Sequence, residues 1–363
     1  MSVFGLGSRS YHTFCKFAHD VNDNLIELGA QQLLEVGEGD ELYKQAESFQ
    51  IWTLKVIQTI CNENSLYDQT ILLKSIDEIK KELEWDPKDY RVVKSQSSEP
   101  NLIDSLSSIH KRKVVPCRLH SKKELQSHSS SRSTLLIRLE HVEETGLLYD
   151  PGDHVIVYPS NDEILVNKII GRMNTRTFDD VIEVEKLGIY SLFIEIDASK
   201  SWRKCSRLPP CSVRTALKHF IDISAPPTQE LLTTFALMSS DSAEKQILQR
   251  LSTEQDLYKE TLHALGNPSV CDVLDVFVNV KITAELIIEK FPIIRPRYYS
   301  VSSCLLTYAN EIHLTVALQQ HFTSGKVNGV KTTAKNGKHS YGLCSGWFRK
   351  MKAEDVVPLS IKR

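Results

Sequence analysis

The run Arg295-Pro296-Arg297-Tyr298-Tyr299-Ser300-Val301-Ser302-Ser303 holds three residue types that could grip a dinucleotide cofactor. Side chains alternate in facing along a strand, so Arg297 and Tyr299 share one face and Ser300 takes the other. A guanidinium can clamp a pyrophosphate through paired hydrogen bonds, an aromatic ring can stack on a flat heterocycle, and a hydroxyl can hydrogen-bond its rim. Together these outline a flavin site; an ordinary barrel strand with exposed tyrosines is the other reading. Further along, Tyr341-Gly342-Leu343-Cys344-Ser345-Gly346-Trp347 leads into a helix. Gly and Ser at a helix start leave backbone N–H groups facing an anion, and the helix dipole adds attraction for a diphosphate. Many helices open this way. Paired with the Arg-Tyr-Ser strand the string becomes specific, because one dinucleotide needs both grips.

The elements that position these groups follow from hydrophobic spacing. Ser2 to Phe4 reads as a strand end and Gly5 to Ser8 as the turn after it. Phe17, Ala18, Val21, Leu25 and Leu28 fall three or four apart, which predicts an amphipathic helix from Phe14 to a stop at Gly29. Gln32 to Val36 reads as a second strand, Gly37 to Glu41 as an acidic turn, and Phe49, Trp52, Val56 and Ile60 as one face of a second helix. Such a string is half of a doubly wound sheet. Residues 64–112 are polar and weakly patterned, helical in character from Ile71 to Leu83 and Ser-rich from Ser95 to Ser98, and read as a linker and hinge. Val114 to Leu119, Thr134 to Leu139 and His154 to Tyr158 then read as strands, with a turn at Asp150-Pro151-Gly152-Asp153 and a Ser-rich loop from Leu125 to Ser133. From Asp162 to about Lys290 the spacing is mostly helical, including Val213 to Ile221, Glu230 to Leu237 and Glu244 to Leu251. Strands return at Arg297 to Ser302 and Glu311 to Leu318. The pattern predicts a β-barrel interrupted by a helical insertion, with divisions at 1–63, 64–112, 113–160, 161–290 and 291–363.

A chain of 363 residues holds two or three domains at roughly 100 to 200 residues each. Hydrophobic residues make up 41% and charged residues 25%, so real cores can form. With 44 basic against 46 acidic residues, the net charge of −2 gives no reason to expect a nucleic-acid or membrane-surface partner. No stretch approaches the roughly 20 apolar residues that span a bilayer, and the mean hydropathy is −0.24. The opening MSVFGLGSRSYHTF lacks a basic region followed by an apolar run, so no signal peptide is expected and the chain reads as intracellular. The eight cysteines include no CxxC pair, which predicts reduced thiols and neither a zinc site nor a disulfide framework. No internal repeat is found.

In order along the chain, RPRYYSVSS, EIHLTVAL and YGLCSGW resemble the FAD-binding domain of the diflavin reductases. PGDHV at Pro151 to Val155 and LPPCSVRTALKHFIDISAPP at Leu208 to Pro227 are similar to the nitric oxide synthase branch. Near the start, VFGLGSRSYHTFCKFAHD and VGEGDELYKQAESFQIW are similar to the last FMN-binding segments of that family. The matches leave mainly the 64–112 stretch and the loop from Thr323 to Lys338, with Lys326, Lys331, Lys335 and Lys338, unmatched. That loop reads as solvated. The resemblance implies the C-terminal half of a flavodoxin-like doubly wound α/β domain, followed by an antiparallel β-barrel FAD domain of the ferredoxin reductase type with a helical insertion.

The resemblance also implies roles. FMN contacts fall to Ser8, Tyr11, Cys15, Glu41 and Gln45, with Tyr11 able to stack from a loop at the sheet's C-terminal edge. FAD contacts fall to Arg297 on the pyrophosphate, Tyr299 stacked on the ring and Ser300 at the reactive ring edge. Thr315, Ala317, His154, Leu343, Cys344 and Ser345 complete that set. Arg132 aligns with a basic residue that contacts NADP. The plainer readings are a surface charge for Arg132, a capped strand start for His154 and a small buried hydrophobe for Cys344. In the whole family member, electrons pass from NADPH through FAD and FMN to a haem, tetrahydrobiopterin-containing oxygenase domain that makes nitric oxide and citrulline from arginine. Calmodulin is a further partner, and the full-length form is a homodimer.

The family's oxygenase domain, calmodulin-binding helix and first flavodoxin strands would lie before Met1 and its NADPH domain after Arg363, so an internal segment is expected. Such a segment should hold FAD, hold FMN weakly and oxidise NADPH inefficiently. Two rivals remain: a reductase of the cytochrome P-450 reductase type, and a non-catalytic piece that binds partners of the full enzyme.

Overall fold

The computed structural model describes the chain except residues 10, 42–44, 65–84, 143–147, 151, 174–176, 190–199, 267, 324–325, 328–329, 332–337 and 363. The expected helix from Ile71 to Leu83, Pro151 and Lys335 thus lie outside the described residues. Two units form, Met1–Asp86 with Gly188–Ser201, and Pro87–Leu187 with Trp202–Arg363.

In the first unit, β1 (Phe4–Gly7) and β2 (Gly37–Asp40) pair in parallel, and helices Lys16–Glu27 and Gln45–Asn64 follow them. Both strands fall on glycine-rich strings that read as turns, while Gln32 to Val36, expected as a strand, carries none. Packing explains the correction. The Phe4 ring lies 5.1 Å from that of Phe49 and 5.2 Å from that of Trp52, and a Cβ on Gly37 would come within 2.5 Å of the Phe4 and Trp52 rings. On the other face, a Cβ on Gly5 would lie 2.8 Å from that of Ala18. These glycines admit close neighbours rather than bend the chain. Gly29, at φ +91°, does end the first helix as expected. The apolar stripe of that helix is not a buried face: Phe17 and Leu28 are 81% and 84% exposed.

The second unit contains β3 (Tyr90–Lys94), β4 (Val115–Glu124), β5 (Thr134–His141), β6 (His154–Val157), β7 (Ile182–Ile189) as far as Leu187, β8 (Lys200–Lys204) from Trp202, β9 (Arg297–Ser300), β10 (Glu311–Ala317), β11 (Gln320–Thr323), β12 (Lys326–Val327), β13 (Val330–Lys331), β14 (Lys338–Tyr341) and β15 (Val356–Lys362). Strands β10-β5-β4-β15-β6-β9 form an antiparallel sheet whose ladder is not closed into a barrel. One antiparallel bridge, Val301 to Leu314, links the chain after β9 to β10. Ile137, Leu139, Val155, Val157, Leu314 and Phe348 are fully buried along this sheet.

Two expected stretches hold elements not foreseen. The 64–112 stretch contains β3 and helix Leu102–His110, the latter capped by Asn101 accepting from the Asp104 N–H at 2.9 Å. The 161–290 stretch contains β7 and β8, and β3, β7 and β8 form one sheet. The signal was the two-residue alternation Ile182-Glu183-Val184-Glu185, with Ile182 and Val184 buried. Helices of this stretch begin on side-chain caps at Thr228, Asp241, Ser269 and Thr283, whereas Gln255–Ala264 begins at Glu254 without one. Val213 to Phe220 runs into a π-helical turn from Ala216, where the Asn161 Nδ2 donates to the carbonyls of Leu217 and Ile221, each at 2.6 Å. The supposed loop of 323–338 carries short pairs instead, Lys326 opposite Lys331 and Val327 opposite Val330.

Candidate functional site

Strand β9 lies against β6, with Ser300 opposite His154, Tyr299 opposite Val155 and Arg297 opposite Val157. The expected alternation holds: Arg297 and Tyr299 are half-buried, whereas Tyr298 and Ser300 are exposed. Tyr299 packs edge-on against Phe348, ring centroids 6.2 Å apart at 71°, and its hydroxyl donates to the Cys344 sulfur. Burial pushes the Tyr299 hydroxyl up and the Cys344 thiol up to about 12, so both are neutral near pH 7. The nearby Arg297 guanidinium opposes the rise at each. Tyr299 and Cys344 therefore meet with the Arg297 charge near enough to act on both, although they come from a strand and a helix start well separated in sequence.

The helix Leu343–Lys350 opens at Gly342 with no side-chain cap. Its Ser345 hydroxyl accepts from the Gln319 N–H at 3.2 Å and donates to the Gly342 carbonyl at 3.3 Å, which ties the helix start to the chain leaving β10. A Cβ on Gly346 would lie 2.8 Å from that of Tyr341, so only glycine lets the preceding strand pass this closely. At the other end, Lys122 Nζ donates to the carbonyls of Phe348 at 3.4 Å, of Met351 at 2.6 Å and of Arg349. A cation there suits the negative end of the helix dipole and fixes the axis along which its N-terminus points.

Thr315 and Ala317 are exposed on β10, and the Thr315 hydroxyl donates to the Ser302 hydroxyl at 3.3 Å. Extending the Val301 to Leu314 bridge by one residue sets Ser300 opposite Thr315, so His154, Ser300 and Thr315 form an exposed row across three strands. Along the same face of β10 from this row is a polar network with no sequence signal before the register is known. The Tyr149 hydroxyl meets that of Ser303 at 2.6 Å and donates to the Glu311 carbonyl at 3.0 Å. Arg138 donates to Glu311 through Nε at 2.9 Å and Nη2 at 2.8 Å, and His313 Nε2 lies 2.6 Å from the same carboxylate.

Chiefly the Arg138 hydrogen bonds hold the Glu311 carboxyl well below its ordinary 4.5, at about 2. Because the folded value is the lower one, Glu311 adds stability above pH 4.5 that is lost as pH falls toward 2. Urea unfolding of Glu311→Gln across that window should therefore show a shallower loss of stability on acidification than the parent chain.

In the first unit the expected FMN residues gather at the C-terminal ends of two parallel strands, the edge at which doubly wound sheets hold ligands. The Glu41 N–H donates to the Gly7 carbonyl at 2.8 Å, the Tyr11 N–H to the Ser8 carbonyl at 3.1 Å, and Gln45 Nε2 to the Gly39 carbonyl at 3.1 Å. Ser8 and Cys15 are buried, Cys15 in the left-handed region at φ 51°, while Tyr11 is 69% exposed. Arg132 stands exposed in a loop organised by Glu124, which accepts from the N–H groups of Leu125, Gln126 and Thr134 at 3.1, 3.0 and 2.9 Å.

This arrangement offers a guanidinium, an uncapped helix start and an aromatic ring in one place, as a dinucleotide requires. The sequence profile of the FAD binding domain family matches residues 107–347. The chain belongs to that family. A flavodoxin profile matches residues 1–52, ahead of the FAD-binding region. Inducible nitric oxide synthase of Bos taurus is 37% identical over 366 residues, that of Sus scrofa 37% over 368, and that of Homo sapiens 36% over 366. Each alignment covers 99% of this chain and 30% of the relative's length. The FAD-binding chain thus resembles their reductase portion. No helix among the described residues is long and apolar enough to cross a membrane.

Proposed function

We propose that this chain is the reductase segment of a nitric oxide synthase, taking electrons from NADPH through FAD and FMN toward a haem oxygenase domain of the longer protein. Tyr299 hydrogen-bonded to Cys344 at an uncapped helix start, with the Arg297 charge acting on both, carries this reading. The open six-stranded sheet is taken as the antiparallel barrel of the ferredoxin reductase type. The chain fits FAD on its own features: the helix opens at Gly342 with no side-chain cap, and among the described residues the Arg297 side chain hydrogen-bonds only the nearby Arg295 carbonyl. When bound, FAD supplies hydride and one-electron chemistry.

In this reading Arg297 neutralises the pyrophosphate, and Leu343, Cys344 and Ser345 present the helix start to it. Tyr299 shields one ring face from water, and Ser300, with His154, Thr315 and Ala317 beside it, hydrogen-bonds the ring edge. Ser8, Tyr11, Cys15, Glu41 and Gln45 contact FMN, and Arg132 contacts NADPH. The longer protein would be cytoplasmic and homodimeric, with calmodulin as a partner.

The chain loaded with FAD, reduced anaerobically with dithionite and mixed with ferricyanide, tests the reading. One-electron oxidation of bound flavin is expected. A folded chain that carries no flavin yet binds the full-length enzyme would favour the non-catalytic reading.

A further inference from the structure

Three neighbouring strands, β10, β5 and β4, bring Glu311, Glu140 and His120 onto the face of the sheet away from buried Leu119, Leu139 and Ile312. One ring nitrogen and two carboxylate oxygens of these residues all lie within 4.8 Å of one another. His120 Nδ1 is 2.8 Å from Glu140 Oε1. The register jumps at this point, from Leu119 opposite Leu139 to Ser121 opposite Arg138, so His120 is the extra residue of a β-bulge. A bulge re-aims a side chain, and this one sets an imidazole beside two carboxylates.

Glu140 and Glu311 stand directly opposite each other across β5 and β10. Like charges so placed weaken a sheet. The neighbouring cations do not answer both: the hydrogen bonds of Arg138 go to Glu311, and Arg118, opposite Glu140, pairs with Glu354 at 3.5 Å. Around Glu311, Arg138 Nε and His313 Nε2 lie at Oε2, while among the described residues Oε1 accepts from Arg138 Nη2 alone. A carboxylate oxygen has two lone pairs, so Oε1 keeps one to give.

We propose that His120, Glu140 and Glu311 bind a zinc ion, through His120 Nδ1, one Glu140 oxygen and Glu311 Oε1, with water as the fourth ligand. One imidazole with two carboxylates suits zinc, whereas magnesium and calcium favour oxygen ligands throughout. Ligand atoms about 2.0–2.2 Å from a tetrahedral zinc stand roughly 3.3–3.6 Å apart. The His120 and Glu140 side chains, 43% and 40% exposed, have room to turn to that spacing, while Glu311, 18% exposed, is held from behind by Arg138 and His313. The ion takes the place of the His120 to Glu140 contact, offsets the opposed carboxylates and fastens β4, β5 and β10 together. No cysteine takes part, so cysteine spacing carries no sign of this site.

Zinc chloride titrated calorimetrically into the whole chain near pH 7.5 should show one ion per chain with a Kd at or below about 10 μM. It should also raise the thermal midpoint. His120→Ala and Glu140→Gln break an exposed pair that contributes little to stability. Each should bind zinc at least about tenfold more weakly, the lower end of what losing even an outer partner of a metal costs. His263→Ala and Cys304→Ser remove an exposed imidazole and an exposed thiol outside the cluster and should leave the affinity unchanged. A parent affinity weaker than stated, a fall under about tenfold in either His120→Ala or Glu140→Gln, or a tenfold fall in His263→Ala or Cys304→Ser would overturn the proposal.

Discussion

Arg297→Ala should leave the chain folded and weaken FAD binding by about 10- to 100-fold. A charge-assisted hydrogen bond contributes about 1.5–3 kcal/mol, and each 1.4 kcal/mol is about tenfold in affinity. Among the described residues the guanidinium hydrogen-bonds the Arg295 carbonyl two residues away, so removing the side chain breaks no hydrogen bond there between elements. Its charge also opposes the rise in the Cys344 thiol, which locates it beside the helix start. Arg297→Lys keeps the charge without the planar fork and should fall between the two. Fluorescence titration with FAD, alongside a thermal melt, reads both quantities. A change under about threefold in affinity would contradict a pyrophosphate role.

The second large effect is on stability. Phe348 is fully buried and meets the Tyr299 ring edge-on. Truncating a buried Phe to Ala removes about 3–5 kcal/mol, a large share of the roughly 5–15 kcal/mol that holds a domain. Urea unfolding of Phe348→Ala should show that loss with an unchanged slope. Phe348→Leu, closer in volume, should lose less yet still weaken FAD binding, because the ring that seats Tyr299 is gone. Equal FAD affinity in Phe348→Leu and the parent chain would separate the packing of this ring from the site.

The strand at Arg297, the helix at Leu343 and the facing of Tyr299 against Ser300 were legible because alternation and helix-start chemistry are local. The first unit's strands were not. Gly37 and Gly5 look like turn residues until the rings and methyl groups that occupy their Cβ positions are known, and those come from helices further along. Strands β7 and β8 were hidden for a similar reason: β7's partner β3 lies in a stretch that looks like linker, and β8 pairs onto β7, so no foreseen strand suggested a sheet. Glu311 became visible only through register, since Arg138 and His313 reach it from an adjacent strand and from two residues along its own. The stripe of Phe17 and Leu28 shows the converse, a clear helical period on a face that stays exposed.

Calorimetric titration of FAD into the purified chain puts the convergence of strand and helix start to its most direct test. One FAD per chain, binding at or below about 1 μM and weakened in Arg297→Ala, is the expected result. A chain that keeps its far-ultraviolet circular dichroism and urea midpoint but takes up no FAD at about 100 μM would contradict it.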